Sequence, residues 1–264
     1  MLRGPITLTT DFGTSDHFVG TMKGVILGIS PRARIVDITH EIAPQDVNEA
    51  AFVIAQAWRY FPTGSIHLVV VDPGVGSARR AILCEAEGQF FIAPDNGVLS
   101  MIYDAARHKV RVISNEKLFL KIVSKTFHGR DAFAPAAAHL SKGLAPAKFG
   151  KPIHDCVRNF LLKPTRLSRH DWSGVVLKTD RFGNLITNFR IDEFPDLAEH
   201  PMELRAGLER ITKLAGTYAE TTIGELFAII GSSGYLEVAV NQGSAAKLLG
   251  IGTGSPVELE IFYE

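Results

Sequence analysis

Residues 67–80 read HLVVVDPGVGSARR, and the first half of this stretch decides the fold. The apolar residues from Leu68 to Val71 follow one another without alternation, which is typical of a strand that is buried on both faces. The run stops at Asp72, where a proline and a glycine predict a sharp turn. A turn requires neither this carboxylate nor Arg79 seven residues later, so the same stretch is also a candidate active site.

Upstream of this strand, strands and helices alternate. PITLTTDF reads as a strand that ends near Asp11, and ARIVDIT reads as a second strand. Apolar residues at helical spacing predict a helix in DHFVGTMKGVILGIS, with Asp16 as its N-cap, and another in PQDVNEAAFVIAQAWRYF. Strand, helix, strand, helix, strand is the pattern of a parallel sheet with both faces covered, so the predicted fold class is α/β.

Downstream, strand character dominates. AILCEAEGQFFIAPDNG predicts a hairpin that turns near Glu87, whereas GRDAFAPAAAHLSKG predicts a helix with Pro135 in its first turn. The segment 144–172 is rich in Pro, Lys, Arg and His and has no sustained period. Beyond it, strand pairs form around the turns in DRFGN and GSSG, with a short helix that Ser244 caps.

These patterns divide the chain into two domains. We expect an N-terminal α/β domain over residues 1–160, a linker over 161–172 and a C-terminal β-rich domain over 173–264. The predicted fold is a Rossmann-like α/β sandwich followed by a smaller, antiparallel domain of barrel-like form.

Composition excludes several classes of protein. Lys plus Arg and Asp plus Glu are both 28, so the chain has no global attraction to nucleic acid or to an anionic membrane. The only cysteines, Cys84 and Cys156, lie far apart and argue against a disulfide framework or a zinc ribbon. No signal peptide or membrane-spanning run is recognisable. We therefore expect a cytoplasmic protein with no nucleic-acid or membrane partner.

Several motifs allow more than one interpretation. A single Asp at a strand end can simply cap a turn, but Asp11 and Asp72 on neighbouring parallel strands favour a ligand site there. GVGSARR lacks the lysine of a phosphate loop, and TTDFG matches the kinase tripeptide without a catalytic loop before it. The nine histidines show no metal-binding spacing, so we expect no dedicated metal site, although carboxylates could still hold magnesium.

Two further groups of polar residues occur in apolar surroundings. In FHGRDAF, His128 could be a hydrogen-bonded structural histidine, and Arg130 and Asp131 could form an ion pair at a helix start. The second domain has a denser group, which suits a polar small molecule held by hydrogen bonds, although each residue alone is ordinary at a turn. Its members are Asp180, Asn184, Ser232, Ser233, Glu237 and Asn241.

In this order along the chain, the motifs resemble a known family. TTDFGTSD, VVDPGVG followed by RR, IAPDNG, FHGRD, DRFGN and SSGYLEVAVN occur as in the S-adenosyl-L-methionine (SAM) hydroxide adenosyltransferases, also called SAM hydrolases, which are related to SAM-dependent fluorinases and chlorinases. The resemblance implies that SAM and water give adenosine and L-methionine, with SAM as substrate and no cofactor. It also implies a homotrimer, with the substrate between the N-terminal domain of one subunit and the C-terminal domain of the next.

The resemblance implies a catalytic triad of Asp72, Arg79 and His128. The family's spacing of seven residues from the aspartate selects Arg79 over Arg80, which we expect to be a surface or subunit-contact charge. Asp72 would orient and polarise water, and the permanent charge of Arg79 would keep Asp72 ionised. Whether the nucleophile is water or hydroxide is left open.

The same resemblance implies the substrate contacts. Asp11 would bind the ribose diol, because one carboxylate can accept hydrogen bonds from two hydroxyl groups. The methionine amino and carboxyl ends would be held by Asp16, Asp180 and Ser232. The adenine edge would meet Asn184 and the backbone around Val240 and Asn241, with Glu237 as a further contact.

Two alternative functions keep the same fold. The halogenating relatives carry a hydroxyl residue in the stretch that matches FHGRD, where this chain has Gly129, and small hydroxyl residues where it has Asp72 and Pro73. A carboxylate beside the reacting carbon would repel a halide, so the difference favours hydrolysis. The second alternative is a non-catalytic adenosine or SAM sensor, since fold alone does not fix function. A purely structural α/β protein would leave the six ordered motifs unexplained.

Overall fold

The computed structural model describes residues 4–159 and 163–263, which form two compact units that divide after Asn159. The architecture is the predicted α/β unit followed by a smaller β-rich unit. The exact domain and linker bounds remain a prediction, and linker residues 161 and 162 lie outside the described residues.

The first unit is built on one sheet with four helices. Its strands follow the order β2-β1-β3-β5-β4-β6-β7, in which β2, β1, β3 and β5 are parallel and the remaining ladders are antiparallel. The predicted parallel sheet is thus confirmed and extends into an antiparallel edge. The elements are β1 (Ile6–Thr10), α1 (Phe18–Ile29), β2 (Ile35–Thr39), α2 (Val47–Ala57), β3 (Ile66–Val70), β4 (Ala81–Ala86), β5 (Gln89–Pro94), α3 (Ser100–Ala105), β6 (His108–Val112), α4 (Ala134–Ser141) and β7 (Pro152–Ile153).

The central strand β3 explains why the sheet has a core on each side. Leu68 and Val70 belong to one apolar cluster with residues of α1 and α4. Val69 and Val71 belong to another cluster with residues of α2 and α3. The unbroken apolar run in the sequence therefore reflects burial on both faces, as predicted.

The starts of the helices confirm one prediction, the position of Pro135, and correct another. Asp46 caps α2 by accepting a 2.8 Å hydrogen bond from the backbone N of Glu49, and Pro135 lies in the first turn of α4. The prediction that Asp16 caps α1 is wrong. His17 holds the N-cap position with already helical backbone angles and no side-chain capping bond. Asp16 is exposed and lies one residue before His17. A side chain that caps a helix normally belongs to the N-cap residue itself, whose backbone is then extended.

The second unit is one curled sheet that forms a half-barrel. The strand β9 contributes to both halves, because Asp171 to Val175 pair with β16 whereas its C-terminal residues pair with β10. The path is β12-β11-β16-β9-β10-β15-β14-β13, with β8 beside β9. Its elements are β8 (Thr165–Arg166), β9 (Asp171–Thr179), β10 (Leu185–Arg190), β11 (Met202–Ala206), β12 (Glu209–Ile211), β13 (Leu214–Ala215), β14 (Leu226–Ile230), β15 (Tyr235–Val240), α5 (Ala245–Leu249) and β16 (Pro256–Ile261).

The two predicted hairpins of this unit are present as β9–β10 and β14–β15. Ser244 caps α5 as expected, with Oγ accepting from the backbone N of Lys247 at 3.2 Å. Within the described part of the chain, no helix combines the length and apolarity needed to cross a membrane.

Candidate active site

The candidate site of the first unit lies at the carboxyl ends of two adjacent strands. The strands β1 and β3 are parallel neighbours, and Thr10 lies opposite Val70 in their register. Asp11 follows β1 directly, and Asp72 follows β3 after one further apolar residue. The expectation of two carboxylates at neighbouring strand ends is therefore confirmed, at the edge where α/β sheets bind ligands.

Arg79 joins the two other residues of the predicted triad. Its Nε donates to Oδ1 of Asp72 at 2.9 Å, and its Nη2 donates to Oδ2 in a second, parallel bond. The same Nη2 donates to Nδ1 of His128 at 2.9 Å. The side chains of Arg79 and Asp72 are only 11% and 6% exposed. The structure thus brings Asp72, Arg79 and His128 into one largely buried network.

This network fixes the proton on His128. A guanidinium has donors only, so Nδ1 of His128 must accept from Arg79 and the ring proton resides on Nε2. Burial lowers the pKa of His128, and the positive charge of Arg79 lowers it further, against smaller opposing effects of Asp72 and Asp131. The ring therefore stays neutral below the usual histidine range and presents one N–H donor.

Two features of the backbone bring these side chains together. His128 directly precedes a π-helical turn, Gly129–Phe133, an irregularity that is frequent at functional sites. The other feature is Gly76, which has a φ of 79°. A Cβ there would lie 2.3 Å from the carbonyl oxygen of Lys125. Only glycine therefore lets the loop after Asp72 approach the segment that leads to His128.

The two other carboxylates of this unit differ in their surroundings. Asp11 is half-buried, and its Oδ2 accepts a 2.8 Å hydrogen bond from the backbone N of Gln45. Among residues 4–159 and 163–263, no protein donor bonds its Oδ1. Asp16 is exposed in the bend before α1. Asp11 is thus oriented by the protein, whereas Asp16 faces solvent.

Three aromatic rings beside these motifs were not identified from the sequence. Phe12, Phe18 and Phe127 form a cluster with ring centroids 5.2 to 5.8 Å apart. Phe12 is adjacent to Asp11 in the chain, and Phe127 is adjacent to His128. The signal available in the sequence was a phenylalanine next to Asp11 and another next to His128. In the folded unit, these rings form an apolar wall.

Arg80, which we expected to be a surface or subunit-contact charge, is 31% exposed and is bonded within the first unit. Its Nε donates to Oδ2 of Asp95 at 2.8 Å, and its Nη1 and Nη2 donate to Oδ1 and the backbone O of Asp155, each at 2.8 Å. Asp95 is buried and also accepts from the backbone N of Val157 at 2.8 Å. Arg80 therefore cross-links two segments of the first unit at its surface, and its part in a subunit contact stays a prediction.

The predicted ion pair of Arg130 with Asp131 is present, at 2.5 Å.

In the second unit, Asp180 organises the β9–β10 turn. Its Oδ1 accepts from the backbone N of Phe182 and Asn184 at 2.9 and 2.8 Å, and its Oδ2 accepts from Nδ2 of Asn184 at 2.9 Å. Gly183 rests on the start of α5, since a Cβ there would lie 2.0 Å from Oγ of Ser244. Asp180 and Asn184 are thus adjacent and mutually oriented.

This turn borders a cavity of about 630 Å³. Phe182 and Tyr218 flank it with 77% and 41% of their surface exposed. The predicted residues Asn184 and Val240 line the cavity, whereas Asn241 holds its rim by donating to the backbone O of Thr221 at 2.8 Å. The full lining is Phe182, Asn184, Tyr218, Val240, Gln242, Gly243, Ser244 and Lys247.

The remaining predicted residues lie at the β14–β15 turn. Ser232 is exposed at its tip, whereas Glu237 is 8% exposed beneath it. Oε1 of Glu237 lies 3.4 Å from Oγ of Ser233 and occupies the space where a Cβ on Gly231 would lie. Burial raises the pKa of Glu237, and the charge of Asp180 adds to this effect. Glu237 supports the turn, and its adenine contact remains a prediction.

No cluster of three His, Cys, Asp or Glu side chains suitable for a metal ion occurs among the described residues. The hydrogen bonds and charges described above organise the clusters in the two units. One offers an Asp–Arg–His network and an oriented carboxylate, and the other a partly aromatic cavity.

Comparison with known proteins connects these clusters to one family. The model of the SAM hydroxide adenosyltransferase N-terminal domain matches residues 6–150, and that of the C-terminal domain matches residues 174–258. An (R)-S-adenosyl-L-methionine hydrolase from Thermus thermophilus is 37% identical over 97% of this chain and 99% of its own length. A fluorinase from Actinoplanes sp. is more distant, at 30% identity over 96% of each chain. The crystal structure of an uncharacterized conserved protein from Thermotoga maritima superimposes with a TM-score of 0.87 at 38% identity and covers 96% of this chain and 99% of that one.

Proposed function

Since this chain belongs to the SAM hydroxide adenosyltransferase family, we propose that it hydrolyses SAM to adenosine and L-methionine. The observation that carries the proposal is the hydrogen-bonded network of Asp72, Arg79 and His128 at the carboxyl end of the parallel sheet. The first unit supplies polar groups for a reacting water, and the second supplies a cavity of a size suited to a small molecule.

The reaction depends more on accurate placement of the water than on a general acid. The water oxygen forms a bond to ribose C5′, the C5′–S bond breaks, and its electron pair neutralises the sulfonium sulfur. Methionine therefore leaves as a neutral thioether without protonation. The water must lose a proton and must lie in line with the breaking bond, and such positioning can contribute several kcal/mol, up to about 7–11 in the best cases.

Arg79 holds the two groups that would contact this water. Its three hydrogen bonds fix the carboxylate of Asp72 and the ring of His128 relative to each other. Asp72 still has lone pairs to accept a hydrogen bond from water, and the Nε2–H of His128 can donate one to the water oxygen. Asp72 is the proposed acceptor of the water proton. Arg79 places a permanent positive charge beside this carboxylate.

Gly129 supports water over halide as the nucleophile. A Cβ at this position would lie 3.3 Å from Sδ of Met22 and 3.4 Å from Cγ1 of Val70, so little room exists for a larger side chain. This tightly packed position therefore lacks the hydroxyl side chain that would help to bind a halide. The fixed negative charge of Asp72 further opposes an anion.

The proposed substrate contacts assign the ribose to Asp11 and the adenine to the cavity beside Asn184 and Val240. Asp16, Asp180 and Ser232 would hold the methionine ends, with Asp180 using lone pairs that its turn leaves available. We further propose a cytoplasmic homotrimer without cofactor, in which the first unit of one subunit and the second unit of the next enclose SAM. The division of the polar groups between the two units supports this arrangement.

One experiment tests the proposed function. The purified protein is incubated with SAM in water labelled with heavy oxygen, and the products are separated by chromatography and weighed by mass spectrometry. We expect equal amounts of adenosine and methionine, with the label in the adenosine 5′-hydroxyl. The absence of both products at high enzyme concentration would favour a sensor. A 5′-halo-adenosine formed in the presence of chloride or fluoride would show a halogenase.

A further inference from the structure

The loop that carries Asp11 is held on both sides by one buried histidine. His40 is 5% exposed and lies after β2. Its ring Nδ1 lies 2.9 Å from Oγ1 of Thr10, the residue before Asp11. Its backbone O accepts a 2.8 Å hydrogen bond from the N of Gly13, two residues after Asp11. The turn at Asp11 is thus fastened to His40 at both ends.

The tautomer of His40 sets the direction of its hydrogen bond with Thr10. Oγ1 of Thr10 accepts from the backbone N of Phe12 at 3.3 Å. With Nδ1 of His40 as acceptor, Thr10 donates its hydroxyl proton and the ring proton lies on Nε2. Nε2 then lies 3.1 Å from Oδ1 of Asp37, a polar contact that lacks the geometry of a hydrogen bond. The ring orientation therefore determines where the hydroxyl of Thr10 holds the backbone beside Asp11.

Asp37 and Lys23 complete the chain of contacts. Nζ of Lys23 on α1 lies 2.6 Å from Oδ2 of Asp37 on β2. Burial alone would raise the pKa of Asp37, but the hydrogen bond and the charge of Lys23 act against burial, and the pKa is lowered. Asp37 thus lies between the ammonium group of Lys23 and the ring of His40. This series of contacts leads from Lys23 on α1 through Asp37 and His40 to Thr10 at the end of β1. Thr10 directly precedes Asp11, the candidate carboxylate for the ribose.

We propose that His40 is a positioning residue for the ribose site, which holds Asp11 in the orientation that accepts both hydroxyls of the substrate ribose. This inference rests on the proposed function, in which Asp11 binds the ribose. Accepting two hydroxyls at once requires an accurately placed carboxylate, and small displacements from remote changes can strongly reduce such interactions. His40 acts through Thr10 and Gly13 and is not itself a contact of the substrate.

The same sheet contains a matched control. His67 is fully buried, lies 2.8 Å from Oγ1 of Thr7 through its Nδ1, and lies 2.7 Å from Oε1 of Gln89 through its Nε2. It therefore has the same kind of threonine contact as His40 but lies away from the loop of Asp11. A general effect of losing a buried histidine would appear in both.

The test compares the variants His40→Ala, His40→Asn and His67→Asn in steady-state hydrolysis of SAM. We expect His40→Ala to raise KM roughly tenfold with a smaller loss in kcat, since one well-placed hydrogen bond to a charged group contributes about this much. The amide of Asn can reach Thr10 as Nδ1 does, so His40→Asn recovers most of the loss. His67→Asn lowers stability but leaves KM near the wild-type value.

Two further measurements decide whether His40 acts on KM through Asp11. In an Asp11→Ala background, His40→Ala should have little additional effect on KM, because both variants remove the same interaction. If the two substitutions multiplied their separate effects on KM, the inference would be overturned. A rise in KM for His67→Asn as large as that for His40→Ala would also overturn it. If His40→Ala does not fold, Asp37→Asn replaces it, with a rise in KM in the same direction expected and an unchanged KM against the inference.

Binding separates this inference from the proposed function. By calorimetry, we expect wild-type protein to bind adenosine more tightly than 2′,3′-dideoxyadenosine, and His40→Ala to lose much of this difference. Lack of turnover together with this pattern would reject only the proposed hydrolysis. Turnover with undiminished discrimination in His40→Ala would reject only the positioning role, and absence of adenosine binding would reject both.

Discussion

At the scale of single residues, Asp72 is the group whose chemistry the reaction requires. Asp72→Asn keeps the shape of the side chain but removes its charge and its ability to take a proton. We expect adenosine formation to fall about 10²-fold or more, while SAM binding measured by calorimetry changes little. An adenosine rate equal to that of wild type would show that Asp72 does not handle the water.

The neighbouring arginines provide a matched pair at the same scale. Arg79→Lys keeps a positive charge but loses the planar fork that bonds Asp72 twice and His128 once. We expect a fall in kcat of about tenfold or more, because a bidentate charged pair is worth more than one hydrogen bond. Arg80→Lys weakens the cross-link to Asp95 and Asp155, so it should lower thermal stability and leave kcat unchanged. The opposite pattern in steady-state rates and melting temperatures would exchange the two roles.

This pair also shows what the sequence could predict about the site. Two adjacent arginines have no local difference, and the family's spacing alone selected Arg79. The partners of Arg80 lie 15 and 75 residues away, so no local pattern could have indicated its cross-link. The aromatic wall around Phe12 was missed for the same reason, because its rings meet only after the strands are paired.

At the scale of elements, the loop between β3 and β4 depends on one close approach. Gly76→Ala would place a Cβ against the carbonyl of Lys125 and would also strain a φ of 79°. Gly254→Ala has a similar φ of 83° but no atom within 4 Å of the added Cβ. We expect Gly254→Ala to cost about 1–2 kcal/mol from backbone strain alone. Gly76→Ala should cost about 1–3 kcal/mol more and also reduce kcat, since His128 follows Lys125 closely.

Urea unfolding and steady-state rates of both glycine variants check this prediction. Equal losses of stability would mean that the loop accommodates the methyl group by moving away from Lys125. A normal kcat in a destabilised Gly76→Ala protein would mean that the close approach stabilises the fold without placing His128.

Elements were predictable where one local rule dominates. Ser244 caps α5 as expected, and Asp46 caps α2 in the same way, because a side chain at an extended N-cap position bonds the exposed N–H groups of the first turn. Asp16 has the right residue type, but α1 starts later and His17 is already helical. The π-helical turn after His128 has no sequence signature of its own, since it depends on packing around Asp131 and Phe133.

At the scale of the whole molecule, the sequence indicates which strands are buried but not how all of them pair. The apolar run of β3 predicted a central strand, and alternation with helices predicted the parallel half of the sheet. The division of β9 between two ladders could not be predicted, because both halves are ordinary strand sequence and the bend follows from closing the half-barrel. Short strands such as β13 gain their conformation only from neighbours.

The stability of the first unit should depend on pH through His67. Burial lowers the pKa of His67 to about 4 from a usual value of 6.5. Below pH 6.5 the unfolded chain binds a proton that the folded chain refuses, so the free energy of unfolding falls as pH decreases towards about 4. The free energy of unfolding is about 3 kcal/mol larger at a pH above the unfolded pKa than at a pH below both pKa values. His67→Gln keeps polar atoms without titrating, so its stability should vary less over this interval.

Fluorescence of Trp58 makes this measurement specific to the first unit, because Trp58 lies in its core at a ring centroid distance of 5.7 Å from Phe91. The other tryptophan, Trp172, lies in the second unit and can be replaced by Phe in both proteins. Urea unfolding is then followed at a series of pH values with and without His67→Gln. Parallel curves for the two proteins would mean that another group causes the acid sensitivity. Convergence towards acid pH would assign it to the buried bonds of His67 with Thr7 and Gln89.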